Sequence, residues 1–355
     1  MLDTNENSAT GSGRSGRPIR VAIVDDSLTV RTVFSRIIGS ASDCTIVAEG
    51  RSGEEAVAIA RETPCDVMLM DLEMPGIGGL AALPDILSSP TPPKVLVISS
   101  LTQDGAIATV TALAMGAADT LAKPSPGAFG DAYAATLLAR VRALAGHDTP
   151  APPAPRTRSC GRKDARIIAI AGSTGGIHAL TQFLRHLPTR VDQPILIAQH
   201  LPDSFVPVFA RQIATASGRD TRIAQRDMVL ARGSITVAPG NAHLLLDREG
   251  ADWIAELDST PAKSGCWPSA DPLFESVAET TDGEACAVVL SGMGRDGLEG
   301  ARVLHEAGGT ILAQDAETAS VWGMPRAVVE AGLAADVLPP EKLAHAVGQF
   351  AKLVV

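Results

Sequence analysis

Apolar residues follow one another along this chain in two rhythms. Short unbroken runs read as buried strands, and runs spaced i, i+3, i+4, i+7 read as one-sided helices. Ile19–Val24 is apolar apart from Arg20, and Val30, Val33, Phe34, Ile37 and Ile38 then repeat at helical spacing. Further strands are predicted at Thr45–Ala48, Val67–Met70 and Lys94–Ile98, with a weaker one at Asp119–Ala122. Helices are predicted near 53–62, 79–88, 104–115 and 131–145. This alternation over 19–145 predicts an α/β unit with a doubly wound five-strand sheet.

The rhythm breaks at 146–164. Thr149 to Pro155 holds four prolines in seven residues and a basic stretch, Arg156 to Lys163, follows, which reads as a semi-rigid linker. Residues 1–17, rich in Ser, Gly, Asn and Thr, read as a disordered tail. From 165 the alternation returns. Arg166–Ile170, Pro194–Ala198 and Ala287–Leu290 are predicted strands, and Ile177, Leu180, Thr181 and Leu184 mark a helix. A β-rich stretch near 221–258, with turn signals at Gly233, Pro239-Gly240 and Glu249-Gly250, reads as a β-hairpin insert. An amphipathic helix closes the chain from Pro340. The expected layout is a tail (1–17), a first domain (18–145), a linker (146–164) and a second α/β domain with a mostly parallel sheet (165–355).

Composition narrows this picture. At 355 residues, two domains are the natural expectation, and 45% hydrophobic residues fill their cores. Aromatics at 3% leave those cores to Ala, Val, Leu and Ile. A net charge of -10 argues against nucleic-acid binding. No apolar run reaches transmembrane length and no signal peptide is evident, so no membrane insertion and a cytoplasmic location are expected. Cys44, Cys65, Cys160, Cys266 and Cys286 are odd in number and form no C-x-x-C pair. They read as packing residues, with neither a zinc site nor a disulfide framework.

Asp25 and Asp26 end the first strand, Asp71 the third, Ser99 the fourth and Lys123 the fifth. Carboxylates converging at one sheet edge repel each other unless a cation joins them, and oxygen-only ligands suit Mg²⁺. The spare carboxylate can then attack phosphorus, with Lys123 and the Ser99 hydroxyl facing the phosphoryl oxygens. A strand-end Asp also commonly caps the next helix, and Asp26 or Ser27 could do only that. Five residues of the right types on four strand ends outweigh that reading.

Residues 19–145 resemble a response-regulator receiver domain, on Asp25-Asp26, Asp71-Leu-Glu-Met-Pro-Gly76, Ser99 and Lys123-Pro124. The resemblance implies Asp71 as phosphoacceptor and a histidine kinase as donor. It also implies Mg²⁺ held by Asp26, Asp71 and the backbone carbonyl of Glu73, with Asp25 acting through water. Receivers commonly carry an aromatic residue three positions before the lysine. Here that position is Thr120, so the usual rotating ring is missing from the output step.

In the second half, Ser173, His200 and Asp296 each lie in a segment that follows a predicted strand. The crevice at the carboxyl ends of parallel strands is where ligands bind, and there the three make a nucleophile, its base and the base's orienter. Gly172, Gly175 and Gly176 allow a tight turn, and the backbone N–H groups opening the next helix can hold an oxyanion. The turn is no clean G-x-S-x-G, because Ala171 stands at the first position, and the order Ser…His…Asp differs from that of α/β-hydrolases. Taken singly, a glycine-rich turn can hold phosphate, a lone His is more often a core residue, and Asp296 could cap the helix after it. His147, His178, His186, His243, His305 and His345 lack strand-end context and read as surface or packing residues.

Taken together, these segments resemble the catalytic domain of the chemotaxis protein-glutamate methylesterases, the CheB family. The shared motifs are Gly172-Ser-Thr-Gly-Gly176, Gln199-His-Leu-Pro202, Ala238-Pro-Gly240, Pro268-Ser-Ala-Asp-Pro-Leu-Phe274, Gly292-Met-Gly-Arg-Asp-Gly297 and Gly323-Met-Pro-Arg326. Trp267 stands where family members often carry arginine. With the receiver in front, the resemblance covers about 19–350. It implies hydrolysis of glutamate γ-methyl esters on methyl-accepting chemoreceptors, with deamidation of receptor glutamines by the same chemistry. Thr174, Gly175 and Met293 are implied to support the oxyanion, no cofactor is expected for the esterase step, and a monomer is expected. The runner-up is a phosphorylation-dependent, receptor-binding adaptor with no essential esterase activity. A DNA-binding output, or an esterase of small molecules, fits the acidic balance and the scarcity of aromatics less well.

Overall fold

The structure, a computed structural model, describes residues 17–100, 102–123, 130–146 and 165–350. The expected tail up to residue 16, most of the expected linker, and Pro124 lie outside the described residues.

The first unit alternates strand and helix: β1 (Ile19–Val24), α1 (Leu28–Gly39), β2 (Cys44–Gly50), α2 (Gly53–Glu62), β3 (Val67–Asp71), α3 (Gly78–Leu87), β4 (Lys94–Ser99), α4 (Gln103–Met115), β5 (Asp119–Ala122) and α5 (Asp131–Ala145). The strands form one parallel sheet in the order β2-β1-β3-β4-β5. All of β3 is buried, which is why it reads as a continuous apolar run. Helix starts are set by short polar side chains: Ser27, Ser52 and Thr102 accept the N–H groups of Val30, Glu55 and Gly105. Because Ser27 caps α1, neither Asp25 nor Asp26 is consumed by that task. Strand order reverses between β1 and β3, and the crevice there opens above Asp25 and Asp71.

The second unit runs β6 (Ile167–Gly172), α6 (Gly176–His186), β7 (Ile195–Gln199), α7 (Val206–Ser217), β8 (Thr221–Ile223), β9 (Met228–Val229), β10 (Ile235–Val237), β11 (His243–Glu249), β12 (Asp252–Asp258), α8 (Ala270–Thr281), β13 (Ala285–Val289), α9 (Leu298–Glu306), β14 (Thr310–Gln314), α10 (Met324–Glu330), β15 (Asp336–Leu338) and α11 (Pro340–Phe350). Seven strands form a parallel sheet in the order β15-β14-β13-β6-β7-β10-β8. The β-rich stretch is not one insert. β8 and β10 extend the parallel sheet, while the hairpin β11–β12 takes β9 as a third strand in a separate antiparallel sheet. Leu244, Leu246 and Ala255 of the hairpin bury against Phe274 and Val277 of α8, which fixes the loop leading into α8. Neither α10 nor β15 is legible in the sequence, since β15 has only three residues, all half-buried, and so no periodicity.

α4 packs against α6 and α7, and Leu113 and Ala117 share one apolar cluster with Ile177 and Phe205. The two units therefore meet beside the C-terminal end of β6. Among the described residues no helix is long and apolar enough to cross a membrane.

Candidate active site

β6 lies between β13 and β7 in the sheet, and Ser173 is the first residue beyond it. The turn that follows demands glycine. Gly175 has φ +74°, and a Cβ there would lie 2.7 Å from Ser291 Oγ and closer still to Ser320. Gly292 is equally constrained, because a Cβ would come within 2.9 Å of the Ser173 Cβ. His200 follows β7, and its N–H donates to the Gly172 carbonyl at 3.0 Å, so the two strand ends are tied together. Gln199 adds a second tie, its Nε2 donating to the Ser173 carbonyl at 2.9 Å.

The side chains then meet. His200 Nδ1 lies 3.0 Å from Ser173 Oγ, and His200 Nε2 lies 2.7 Å from Asp296 Oδ2. Asp296 is expected at a strand end, with capping of the following helix as the competing reading. It stands instead seven residues beyond β13, and α9 begins at Leu298, after Gly297, with no side-chain cap. Its carboxylate sits at the start of α8, accepting the Ser269 hydroxyl at 2.6 Å and the Ala270 N–H at 2.8 Å. A helix N-terminus favours the anion. Burial alone pushes the Asp296 carboxyl up, but His200, Ser269 and Ala270 outweigh it and hold the pKa at about 2. Burial pulls the His200 imidazole down, yet Asp296, with Cys266 adding to it, raises its pKa to about 9.

Behind the triad lies His243, which is fully buried. Its Nδ1 accepts the Ser269 N–H at 2.9 Å, so its Nε2 carries the proton and donates to the Thr260 carbonyl at 3.0 Å. The ring stacks on Trp267 at 4.5 Å. Gln199 and Ser269 were not singled out by sequence reasoning, and His243, read as a surface or packing residue, is a buried one. Gln199 and Ser269 lay within quoted motifs, which was the only available signal.

Thr174 and Gly175 sit where expected, and among the described residues no hydrogen bond engages their backbone N–H groups or that of Met293. The Met293 side chain lies on the rim, 41% exposed. The Thr174 hydroxyl is not free. It donates to Asp119 Oδ2 of β5 at 2.9 Å, across the two units. A cavity of about 230 Å³ beside Ser173 and His200 is walled on its other side by Asp119, Thr120 and Arg140. His178, expected as surface or packing, lines the same cavity, its Nδ1 3.0 Å from the Ala114 carbonyl.

The first unit's crevice gathers the other predicted residues. Ligand oxygens of Asp25, Asp26 and Asp71 lie within 4.8 Å of one another. Lys123 Nζ lies 2.5 Å from Asp71 Oδ2 and 3.2 Å from Asp25 Oδ2. That last contact has ion-pair distance but no hydrogen-bond geometry, so Asp25 Oδ2 is buried without a hydrogen bond. Burial, offset only in part by Lys123, raises the Asp71 carboxyl above its ordinary range. Burial lowers the Lys123 ammonium, but Asp71 outweighs it and the pKa stands above its ordinary value. Ser99 Oγ lies 3.2 Å from Thr120 Oγ1. The Glu73 N–H donates to Asp71 Oδ1 at 3.1 Å, and its carboxylate accepts the Ser100 hydroxyl at 3.1 Å.

The chain matches two family models: the response regulator receiver domain over residues 21–129 and the CheB methylesterase over 168–347. It is 42% identical to a protein-glutamate methylesterase/protein-glutamine glutaminase of Caulobacter vibrioides, over 95% of this chain and 100% of that one. It is 38% identical to another of that name from Maricaulis maris, over 90% of this chain and 92% of that one. The solved catalytic domain of the Thermotoga maritima CheB methylesterase superposes with a TM-score of 0.51 at 32% identity, covering 53% of this chain and 99% of that domain.

Proposed function

Because this chain belongs to the CheB methylesterase family, with a receiver domain ahead of the hydrolase, we propose that it hydrolyses glutamate γ-methyl esters of methyl-accepting chemoreceptors through Ser173, His200 and Asp296. The observation that carries this reading is the continuous hydrogen-bond path from Ser173 Oγ through both nitrogens of His200 to Asp296. Ser173 Oγ attacks the ester carbonyl carbon as His200 Nδ1 takes its proton. The developing oxyanion is met by the N–H groups of Thr174, Gly175 and Met293. His200 returns the proton to the departing methoxide, and methanol leaves. Water, deprotonated by His200, then cleaves the γ-glutamyl ester of Ser173. A glutamine side chain in the same place loses ammonia and becomes glutamate. The enzyme works in the cytoplasm as a monomer.

Control comes from the receiver, with Asp71 accepting a phosphoryl group from a histidine kinase. The buried, hydrogen-bond-free oxygen of Asp25 and the all-oxygen set around it fit Mg²⁺. Asp26, Asp71 and the Glu73 carbonyl are the residues to hold it, with Asp25 acting through water; bound there, Mg²⁺ neutralises charge around the phosphoryl group. Lys123 and Ser99 take the phosphoryl oxygens. In the unphosphorylated form Asp119, Thr120 and Arg140 of the receiver wall the cavity at Ser173 and obstruct the approach of a receptor helix. The Asp119 carboxylate also holds the Thr174 hydroxyl to the receiver. Drawing Ser99 toward a phosphoryl group takes it from Thr120. Thr120 is tied to Asp119 through its own N–H and, by way of Arg140, through its carbonyl. Hydroxyl and carboxylate groups thus take over the output step for which Thr120 offers no ring.

The test is methanol release from a methylated receptor cytoplasmic fragment, for wild type and Ser173→Ala, each with and without a small phosphodonor and Mg²⁺. Release that needs Ser173 and rises on phosphorylation is expected. No release from folded, phosphorylated wild type overturns the reading in favour of the adaptor.

A further inference from the structure

Of the cysteines expected to serve only packing, Cys65 and Cys286 are buried, as a packing role requires. Cys266 is not. It is partly exposed in the loop before α8, and its Sγ lies with a His200 nitrogen and an Asp296 oxygen in a group whose members are all within 4.8 Å of one another. Its thiol makes a long contact, 3.8 Å, to the Ser264 carbonyl and also interacts with the His200 imidazole. One imidazole nitrogen, one carboxylate oxygen and one thiolate suit a thiophilic divalent cation.

We propose that His200, Cys266 and Asp296 form an inhibitory site for a divalent cation of the zinc class. The inference rests on the catalytic reading of His200 and Asp296. The cation takes an imidazole nitrogen, Asp296 Oδ2 and the Cys266 sulfur, leaving a fourth, tetrahedral position to water. His200 Nε2 and Asp296 Oδ2 now stand 2.7 Å apart with a proton between them. Two atoms bound to one zinc ion are about 3.2–3.5 Å apart, as bond lengths of about 2.0–2.2 Å and tetrahedral angles require. A small opening of this pair therefore admits the ion, and the thiol closes the set from the open side. Binding displaces the shared proton and the thiol proton. His200 then cannot relay a proton to or from Ser173, so the esterase stops while the fold is kept. The two cation sites of the molecule are separated by chemistry. The oxygen-only set of Asp25, Asp26 and Asp71 favours a hard cation, and the thiolate set a soft one.

Cobalt(II) chloride is the probe for binding and zinc chloride for inhibition, both on the full chain with its thiols kept reduced. Wild type is expected to develop a thiolate-to-cobalt charge-transfer band that zinc abolishes; carboxylate-bound cobalt gives none. Cys266→Ala is expected to lose the band and, relative to its own zinc-free rate, to need about tenfold or more zinc for equal fractional inhibition. Ser173→Ala is expected to keep the band, because Ser173 is not a ligand. No band in wild type, a band that survives in Cys266→Ala, or equal zinc inhibition of the two overturns the proposal. The absorbance result stands even if the receptor is the wrong substrate, so failure of the site and failure of the esterase reading give different patterns.

Discussion

Both sites of this molecule lie at the carboxyl ends of parallel strands, yet they are electrostatic opposites. In the receiver crevice, Asp25, Asp26 and Asp71 crowd together and Asp71 is raised by burial that Lys123 offsets only in part. In the hydrolase crevice, one carboxylate, Asp296, is held at a pKa of about 2 by three donors. The first set is under-satisfied, which suits a group that must acquire a cation and a phosphoryl. The second is fully satisfied before substrate arrives, which suits a group that must only hold an imidazole still. A sheet edge supplies position; the number of donors per carboxylate decides whether it recruits a ligand or orients a base.

Removing the satisfied carboxylate is the sharpest way to break this contrast. Asp296→Asn is expected to lower kcat about 10⁴-fold, because an amide can stabilise the wrong imidazole tautomer. Asp71 phosphorylation is expected to stay as in wild type. A loss below tenfold would mean that another group orients His200.

The pH profile is the next largest effect. In the proposed mechanism neutral His200 is the base, and its pKa stands at about 9. Methanol release per unit enzyme at low substrate is therefore expected to climb about tenfold per pH unit below that value and to level off above it. The sign follows from the base losing its proton as pH rises. A plateau already reached at neutral pH would show that Asp296 does not raise the imidazole in the free enzyme.

The link between the units yields a smaller change, of opposite direction. Asp119→Ala frees the Thr174 hydroxyl from the receiver. A hydrogen bond to a charged group contributes about 1.5–3 kcal/mol, so unphosphorylated activity is expected to rise about tenfold or more. Activity after phosphorylation is expected to change little. Equal basal rates in mutant and wild type would leave the closed cavity as the sole source of control.

How much of this was legible in the sequence follows from how local each feature is. The turn at Ser173 could be read from glycines that stand beside it, and the five receiver positions from strands that end on them. Asp296 was legible as chemistry but misplaced as structure, since its donors Ser269 and Ala270 come from another helix. Cys266, Gln199 and His243 act through contacts that no periodicity encodes. The same holds for Asp119, whose part depends on docking against a residue 55 positions away. Thr120 was noticed as a missing ring, but the Ser99 hydroxyl that meets it is visible only in three dimensions.

Ser269→Ala gives the finest test of the comparison, because it takes one donor from Asp296 and leaves two. The lost hydroxyl both shares the negative charge and fixes the carboxylate plane against His200. Losing one hydrogen bond to a charged group weakens this hold by about 1.5–3 kcal/mol in the buried limit. Only the part that differs between ground and transition state reaches kcat, so a fall of about three- to tenfold is expected with KM little changed. Ser269→Thr retains the hydroxyl and is expected to recover most of the rate. A role confined to capping α8 would instead lower the melting temperature of Ser269→Ala, by loss of about 1 kcal/mol, and leave kcat where it was.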